Sequence, residues 1–282
     1  MGPKEFVRLG RRLGQDLLGV ASITSVPNFA RYLANIVATA PNIARLRALT
    51  PADARMANRP CHFTVMGTRI TLPGEDFAGA REMYARRVYF ALPHFRINPG
   101  DIVVDAGANR GLFTVFAANV AQRVLAIEAQ SGFLDAIRAR LAMNASPASV
   151  DLECAIIGGA TGAIADERVL TSSSHYEGMP PPRLSLDEIL ARHSIGSIDF
   201  LKLDIEGSEF DLFSSARRWL DCVSKVAMEV HPGFGDPRDL VTVLTAAGMQ
   251  TVAFDGDLRR QESAGSNSGY LYAWRGDAVR SR

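Results

Sequence analysis

Two short stretches concentrate ionisable side chains where a strand would end. In FLKLDIE, residues 200–206, Lys202, Asp204 and Glu206 alternate with Leu201, Leu203 and Ile205, so an extended strand projects the three charged groups to one face. In MEVHP, residues 228–232, Glu229 and His231 repeat that spacing. An interior strand of a parallel sheet is apolar on both sides, and an uncompensated buried charge costs several kcal/mol, so these groups need partners or a solvent-filled cleft. An imidazole that titrates near neutral pH among carboxylates can move a proton. The same acids suit a divalent cation, although no spacing demands one and no metal ligand is assigned. A structural arrangement competes at two positions: Lys202 pairing with Glu229 or Asp204 inside the sheet, and Glu209 favouring the amino end of a following helix.

A second constellation lies in DIVVDAGANRGLFTVFAANV, residues 101–120. A β-branched run ends in Asp105, turns through Gly107 and Gly111 and passes into a helical pattern. In a doubly wound sheet a ligand sits beyond the carboxyl ends of the strands, where glycines admit close approach and helix amides carry partial positive charge. Glu128, about twenty residues later at the end of the next strand, has the placement used to accept hydrogen bonds from two ribose hydroxyls. A dinucleotide site wants G-x-G-x-x-G, whereas Asn109 stands where a further glycine is expected, and no Tyr-x-x-x-Lys pair occurs. A nicotinamide-dependent oxidoreductase is therefore disfavoured.

Strand patterns fall at about 102–106, 123–129, 150–157, 198–205, 223–231, 249–255 and 269–274, with helical stretches after Gly111, Gly132, Leu186, Ser208 and Pro237. IVVDA, RVLAIEA and KVAMEV are apolar on both faces, as a parallel sheet covered on both sides requires. The expected fold is α/β, a Rossmann-like doubly wound, mostly parallel seven-stranded sheet over 101–276, with a 277–282 tail. Before it, CHFTVMGTRITLP at 61–73 reads as a hairpin and 75–97 as mainly helical, leading into the core over 61–100. TSSSHYEGMPPPR, 171–183, continues neither period and reads as a loop, with His175 as a lesser candidate for substrate contact.

VDAGANRGLF, AIEA, SIDFLKLDIEGSE and MEVHP, in that order, resemble the FkbM family of methyltransferases over roughly residues 100–275. The resemblance implies a class I methyltransferase fold and S-adenosyl-L-methionine as cofactor. It implies that Asp105, Gly107, Asn109 and Gly111 form the first cofactor loop, that Glu128 holds the adenosine ribose, and that the turn near Ala155 faces the adenine. Methyl transfer to a hydroxyl needs a base or a metal near the reacting methyl, so His231 is the expected base, with Asp204, Glu206 or Glu229 orienting it or binding the acceptor. The expected activity is O-methylation of a sugar, glycan or secondary metabolite. A binding or scaffold protein that retains the fold is the alternative from another class.

Composition sets bounds on partners and compartment. The 282 residues carry a net charge of +1 and 47% apolar residues, which suits a globular chain and argues against a dedicated nucleic-acid binder. Residues 1–60 hold nine Lys/Arg against three acids, with Phe6, Leu9, Leu13, Leu17 and Val20 at helical spacing. That reads as a basic helical extension. It suits packing on its own domain or on a second copy in a homo-oligomer, or weak contact with an acidic membrane surface. Three cysteines, Cys61, Cys154 and Cys222, lack C-x-x-C spacing, and no segment has signal-peptide or membrane-spanning length, so the expected location is cytoplasmic.

Overall fold

The computed structural model describes residues 3–158, 181–215 and 217–276, with side chains from Leu13 onward. His175, most of the loop expected at 171–183 and the tail 277–282 lie outside the described residues. Among the described residues no helix is long and apolar enough to cross a membrane. The chain divides into two compact units, Met1–Val88 with Arg140–Ala145, and Tyr89–Ala139 with Ser146–Arg282.

In the first unit, helices Pro3–Ile23, Val26–Ala38, Ala40–Leu46 and Thr50–Ala54 precede a hairpin of β1 (Cys61–Val65) and β2 (Thr68–Leu72). Val65 pairs with Thr68, so only Met66 and Gly67 turn the chain; both have positive φ, 50° and 87°, as a type I′ turn requires. The helical stretch after the hairpin ends at Ala85 instead of running to 97. Arg87 takes a positive φ of 57°, which a right-handed helix does not admit, and residues 86–97 are turns and irregular chain. Tyr32, Phe63, Phe77 and Tyr84 pack ring against ring at 4.7 to 6.2 Å. Beside them Arg81 pairs with Asp16 at 2.9 Å and Asp53 at 2.8 Å, and Tyr32 donates to Asp53 at 2.7 Å. Two of the three acids in residues 1–60 are thus buried.

The second unit is a seven-stranded sheet. Its strands are β3 (Ile102–Ala106), β4 (Arg123–Glu128), β5 (Ser149–Cys154), β6 (Phe200–Leu203), β7 (Lys225–Glu229), β8 (Gln250–Asp255) and β9 (Ser268–Trp274), in the order β5-β4-β3-β6-β7-β9-β8. All pairs are parallel except those made by β9, which runs antiparallel between β7 and β8. The fold is the doubly wound, mostly parallel α/β class expected from the strand patterns. Its strand order reverses direction at β3, and a fold of this class places its ligand beyond the carboxyl ends of the strands at that switch.

Strand alternation assigns β6 two different environments. Leu201 and Leu203 join Val104, Leu125, Val226, Met228 and Leu271 in one buried cluster. Phe200 points to the other face, among Phe90, Phe95 and Phe113 at ring separations of 5.7 to 5.9 Å. Lys202 shares that aromatic face. β6 stops at Leu203, β7 at Glu229 and β5 at Cys154, earlier than the strand patterns suggest. The reason at β6 is local: Glu206 and Gly207 take positive φ, 54° and 98°, and turn the chain into the helix Glu209–Ser214. Asp204 and Glu206 therefore sit in the turn beyond the strand, not along one strand face with Lys202.

Candidate active site

The turn after β3 is built around backbone contacts. Gly107 has φ 76°, and a Cβ there would lie 1.7 Å from the carbonyl oxygen of Asp204. Gly111 has φ 84°, and a Cβ there would lie 2.7 Å from the Ile137 side chain. Both glycines are thus required by close packing inside the fold, whatever else they admit. A Gly107→Ala substitution combines strained φ with an immovable backbone neighbour and should cost more than about 3 kcal/mol, read as a shift in urea midpoint. An unchanged midpoint would refute it.

The same turn fastens Glu128. The backbone N–H of Asn109 donates to Oε2 at 2.7 Å and that of Gln130 to Oε1 at 2.8 Å. Asn109 itself has φ 50°, a left-handed conformation that asparagine tolerates. Glu128 is 6% exposed, and burial raises its pKa against the pull of those two amides. Each carboxylate oxygen still has a lone pair to offer. Ala155, buried at the end of β5, donates its N–H to the Glu128 carbonyl at 3.3 Å.

Lys202 links the β3 and β6 strand ends. Its Nζ donates to the Gly107 carbonyl at 2.6 Å and lies 3.1 Å from Asp105, 3.9 Å from Asp204 and 5.5 Å from the centre of the Tyr89 ring. Burial alone would lower its pKa, but Asp105 and then Asp204 outweigh this and hold the ammonium charged. Asp105 is fully buried and also accepts from Thr114 Oγ1 at 2.6 Å. Lys202 therefore does pair within the sheet, but its nearest acid is Asp105. The Tyr89 hydroxyl donates to Asp204 Oδ2 at 3.0 Å, and its pKa is pushed well up by burial, then by Asp204 and Glu229, so the phenol stays a donor.

Beyond β6 and β7, a third group of side chains meets. His231 Nδ1 lies 3.0 Å from Glu209 Oε1, and its Nε2 lies 3.5 Å from Glu206 Oε2. Glu209 Oε1 also accepts the Ile205 N–H at 3.2 Å. Two glycine–aromatic contacts join these loops: the Phe234 ring covers Gly207, and the Phe210 ring covers Gly235, with no room for a Cβ at either. Asp204, Glu206 and His231 each offer one ligand atom within 4.8 Å of the others. Glu229 ends β7 half-buried.

Burial would lower the His231 pKa, yet hydrogen bonding to Glu209, the Glu209 charge, Asp204 and Glu206 push it to about 9. These neighbours favour the protonated ring, which bears on the expectation that His231 acts as the base. A pKa raised in the folded state stabilises fully below the unfolded value of about 6.5 and ceases to do so as pH rises through 9. In chelator-treated protein, stability should fall on the order of 2 kcal/mol between pH 6.5 and 9.5, and His231→Gln should flatten that slope in urea titrations.

These geometries bring the sequence candidates into two neighbourhoods: Asp105, Gly107, Asn109, Gly111, Glu128 and Ala155 around the β3, β4 and β5 ends, and Asp204, Glu206 and His231 just beyond β6 and β7, with Glu229 as the last residue of β7. The chain matches the Methyltransferase FkbM domain over residues 105–250, more than half its length. It belongs to the FkbM methyltransferase family. Among solved structures it is similar to the FkbM methyltransferase of Methylobacillus flagellatus KT, with 17% identity over 84% of this chain and 60% of that one, TM-score 0.43. It is similar also to a precorrin-6y C5,15-methyltransferase from Geobacter metallireducens GS-15, with 15% identity over 68% and 87%, TM-score 0.41. A third is a Streptococcus mutans protein solved in complex with SAH, with 11% identity over 67% and 94%, TM-score 0.40. No curated protein matches the chain.

An FkbM methyltransferase takes its methyl group from S-adenosylmethionine, and the site fits that donor. Glu128 is fixed at both oxygens by backbone amides and retains acceptor capacity for a nucleoside's vicinal hydroxyls. Tyr89, Thr114 and Gln130 carry parts of this FkbM site that sequence reasoning passed over. Tyr89 gives no spacing signal, because it enters from the irregular segment before β3. Glu209 was placed only at a helix end, whereas its carboxylate anchors His231.

Proposed function

We propose that this FkbM methyltransferase is an O-methyltransferase whose acceptor is a hydroxyl of a sugar, glycan or secondary metabolite. The observation that carries the reading is the meeting of Asp204, Glu206 and His231 just beyond two adjacent parallel strands, on the side of the sheet where a doubly wound fold places its ligand. Glu128 and the turn at Gly107–Gly111 would hold the donor, whose sulfonium supplies an electrophilic methyl carbon when bound. An acceptor hydroxyl must then lie in line with the C–S bond and lose its proton as the C–O bond forms. Asp204, Glu206 and His231 are the groups placed to take that proton or to bind the hydroxyl.

Asp204 suits this role because its Oδ2 is fixed by the Tyr89 hydroxyl and sits 3.9 Å from the Lys202 ammonium. Its carboxylate is oriented before any acceptor binds. The test is incubation of the protein with cell extract and isotopically labelled methyl donor, followed by mass spectrometry. A labelled product carrying the methyl as an ether is expected. Label found only on nitrogen, carbon or sulfur would overturn the O-methyl assignment.

A further inference from the structure

We infer that Asp204, Glu206 and His231 form a binding site for a divalent cation of the manganese or magnesium class. One ligand atom from each residue falls within 4.8 Å of the other two. Ligands at the roughly 2.1 Å bond lengths of such ions stand about 3 Å apart when adjacent and just over 4 Å when opposite, so small side-chain rotations close the site. Asp204 and Glu206 have that freedom, since their side chains are 27% and 61% exposed.

Proximity alone would leave this a cluster of acids. Glu209 supplies the independent observation. It is fully buried, and its Oε1 accepts the Ile205 N–H and faces His231 Nδ1. An acceptor so engaged orients Nδ1 as the donor, which presents Nε2 to Glu206 and Asp204. Carboxylate, imidazole and cation in sequence is the arrangement by which proteins orient a metal-bound histidine. The second Glu209 oxygen, Oε2, is buried and makes no hydrogen bond. Three carboxylates thus surround one imidazole, while the nearby Lys202 is drawn to Asp105 at 3.1 Å. A divalent cation would offset the negative charge of these carboxylates, of which the Glu209 Oε2 atom has no hydrogen-bond partner.

The donor set selects the ion. Two carboxylates and one imidazole favour an ion that prefers oxygen and accepts nitrogen, and six-coordination leaves about three positions open. Two adjacent hydroxyls can fill two of those positions, so the acceptor class narrows to vicinal diols; this narrowing rests on the hydroxyl-acceptor reading, whereas the metal site does not.

The test uses the full chain stripped with chelator. Mn2+ is titrated by calorimetry and by the loss of its free-ion electron paramagnetic resonance signal, with S-adenosylmethionine affinity measured in parallel. One ion per chain is expected, competed by Mg2+, and weakened at least tenfold by Asp204→Asn or His231→Gln. Glu209→Gln, acting through His231, should weaken it about 10- to 100-fold. Unchanged donor affinity in the variants certifies that they are folded. Absence of Mn2+ binding at about 1 mM, or equal binding by native protein and all variants, overturns the metal site. If Mn2+ binds as expected but labelled methyl never reaches a hydroxyl, the metal site stands and the O-methyl reading falls.

Discussion

Replacing Glu128 with alanine should weaken S-adenosylmethionine binding on the order of 100-fold while the protein remains folded. Hydrogen bonds to a charged acceptor contribute about 1.5 to 3 kcal/mol each, and a pair of ribose hydroxyls engages two of them. Losing both corresponds to about 3 kcal/mol or more, and each 1.4 kcal/mol is tenfold. Glu128→Gln separates charge from shape. Its amide group must face either the Asn109 or the Gln130 N–H, which already donates to this side chain at 2.7 or 2.8 Å, so a donor meets a donor. The glutamine variant should therefore also lose most of the affinity. Calorimetry with native protein and both variants checks this, and native-like affinity in the alanine variant would remove Glu128 from the donor site.

The largest expected stability effect belongs to Lys202→Met. The ammonium is 2% exposed and Asp105 is fully buried, so the substitution leaves a carboxylate in the interior of the sheet with Thr114 as its remaining hydrogen-bond donor. Breaking one side of a buried ion pair costs about 3 to 5 kcal/mol, whereas replacing both members is often far milder. Lys202→Met combined with Asp105→Asn should thus recover much of the loss. Urea denaturation of the two single variants and the double variant measures the coupling. A single-variant cost below about 1 kcal/mol would show that the pair is solvated in a way its burial contradicts.

The sheet was legible because its strands are short apolar runs bounded by glycines and acids, a pattern whose physical cause is local. IVVDA, RVLAIEA and KVAMEV each appear within a residue or two of the observed β3, β4 and β7. The position of β9 between β7 and β8 has no such local cause, since its pairing with β7 joins residues far apart in the chain. At the site, Glu128 could be read from its distance to the glycines. The Lys202–Asp105 pair could not, because 97 residues separate partners that only the β3–β6 register brings together. Left-handed φ at Glu206 is likewise invisible in an alternating sequence. It redirects Asp204 and Glu206 from a strand face into a loop.

The reciprocal seating of Phe234 on Gly207 and Phe210 on Gly235 restricts how the loops beyond β6 and β7 can breathe. Each ring is lodged over the opposite loop at a point bare of side chain, so neither loop can swing outward without dragging its neighbour. Opening of these two segments should then be concerted, with Glu206 on one and His231 on the other moving together.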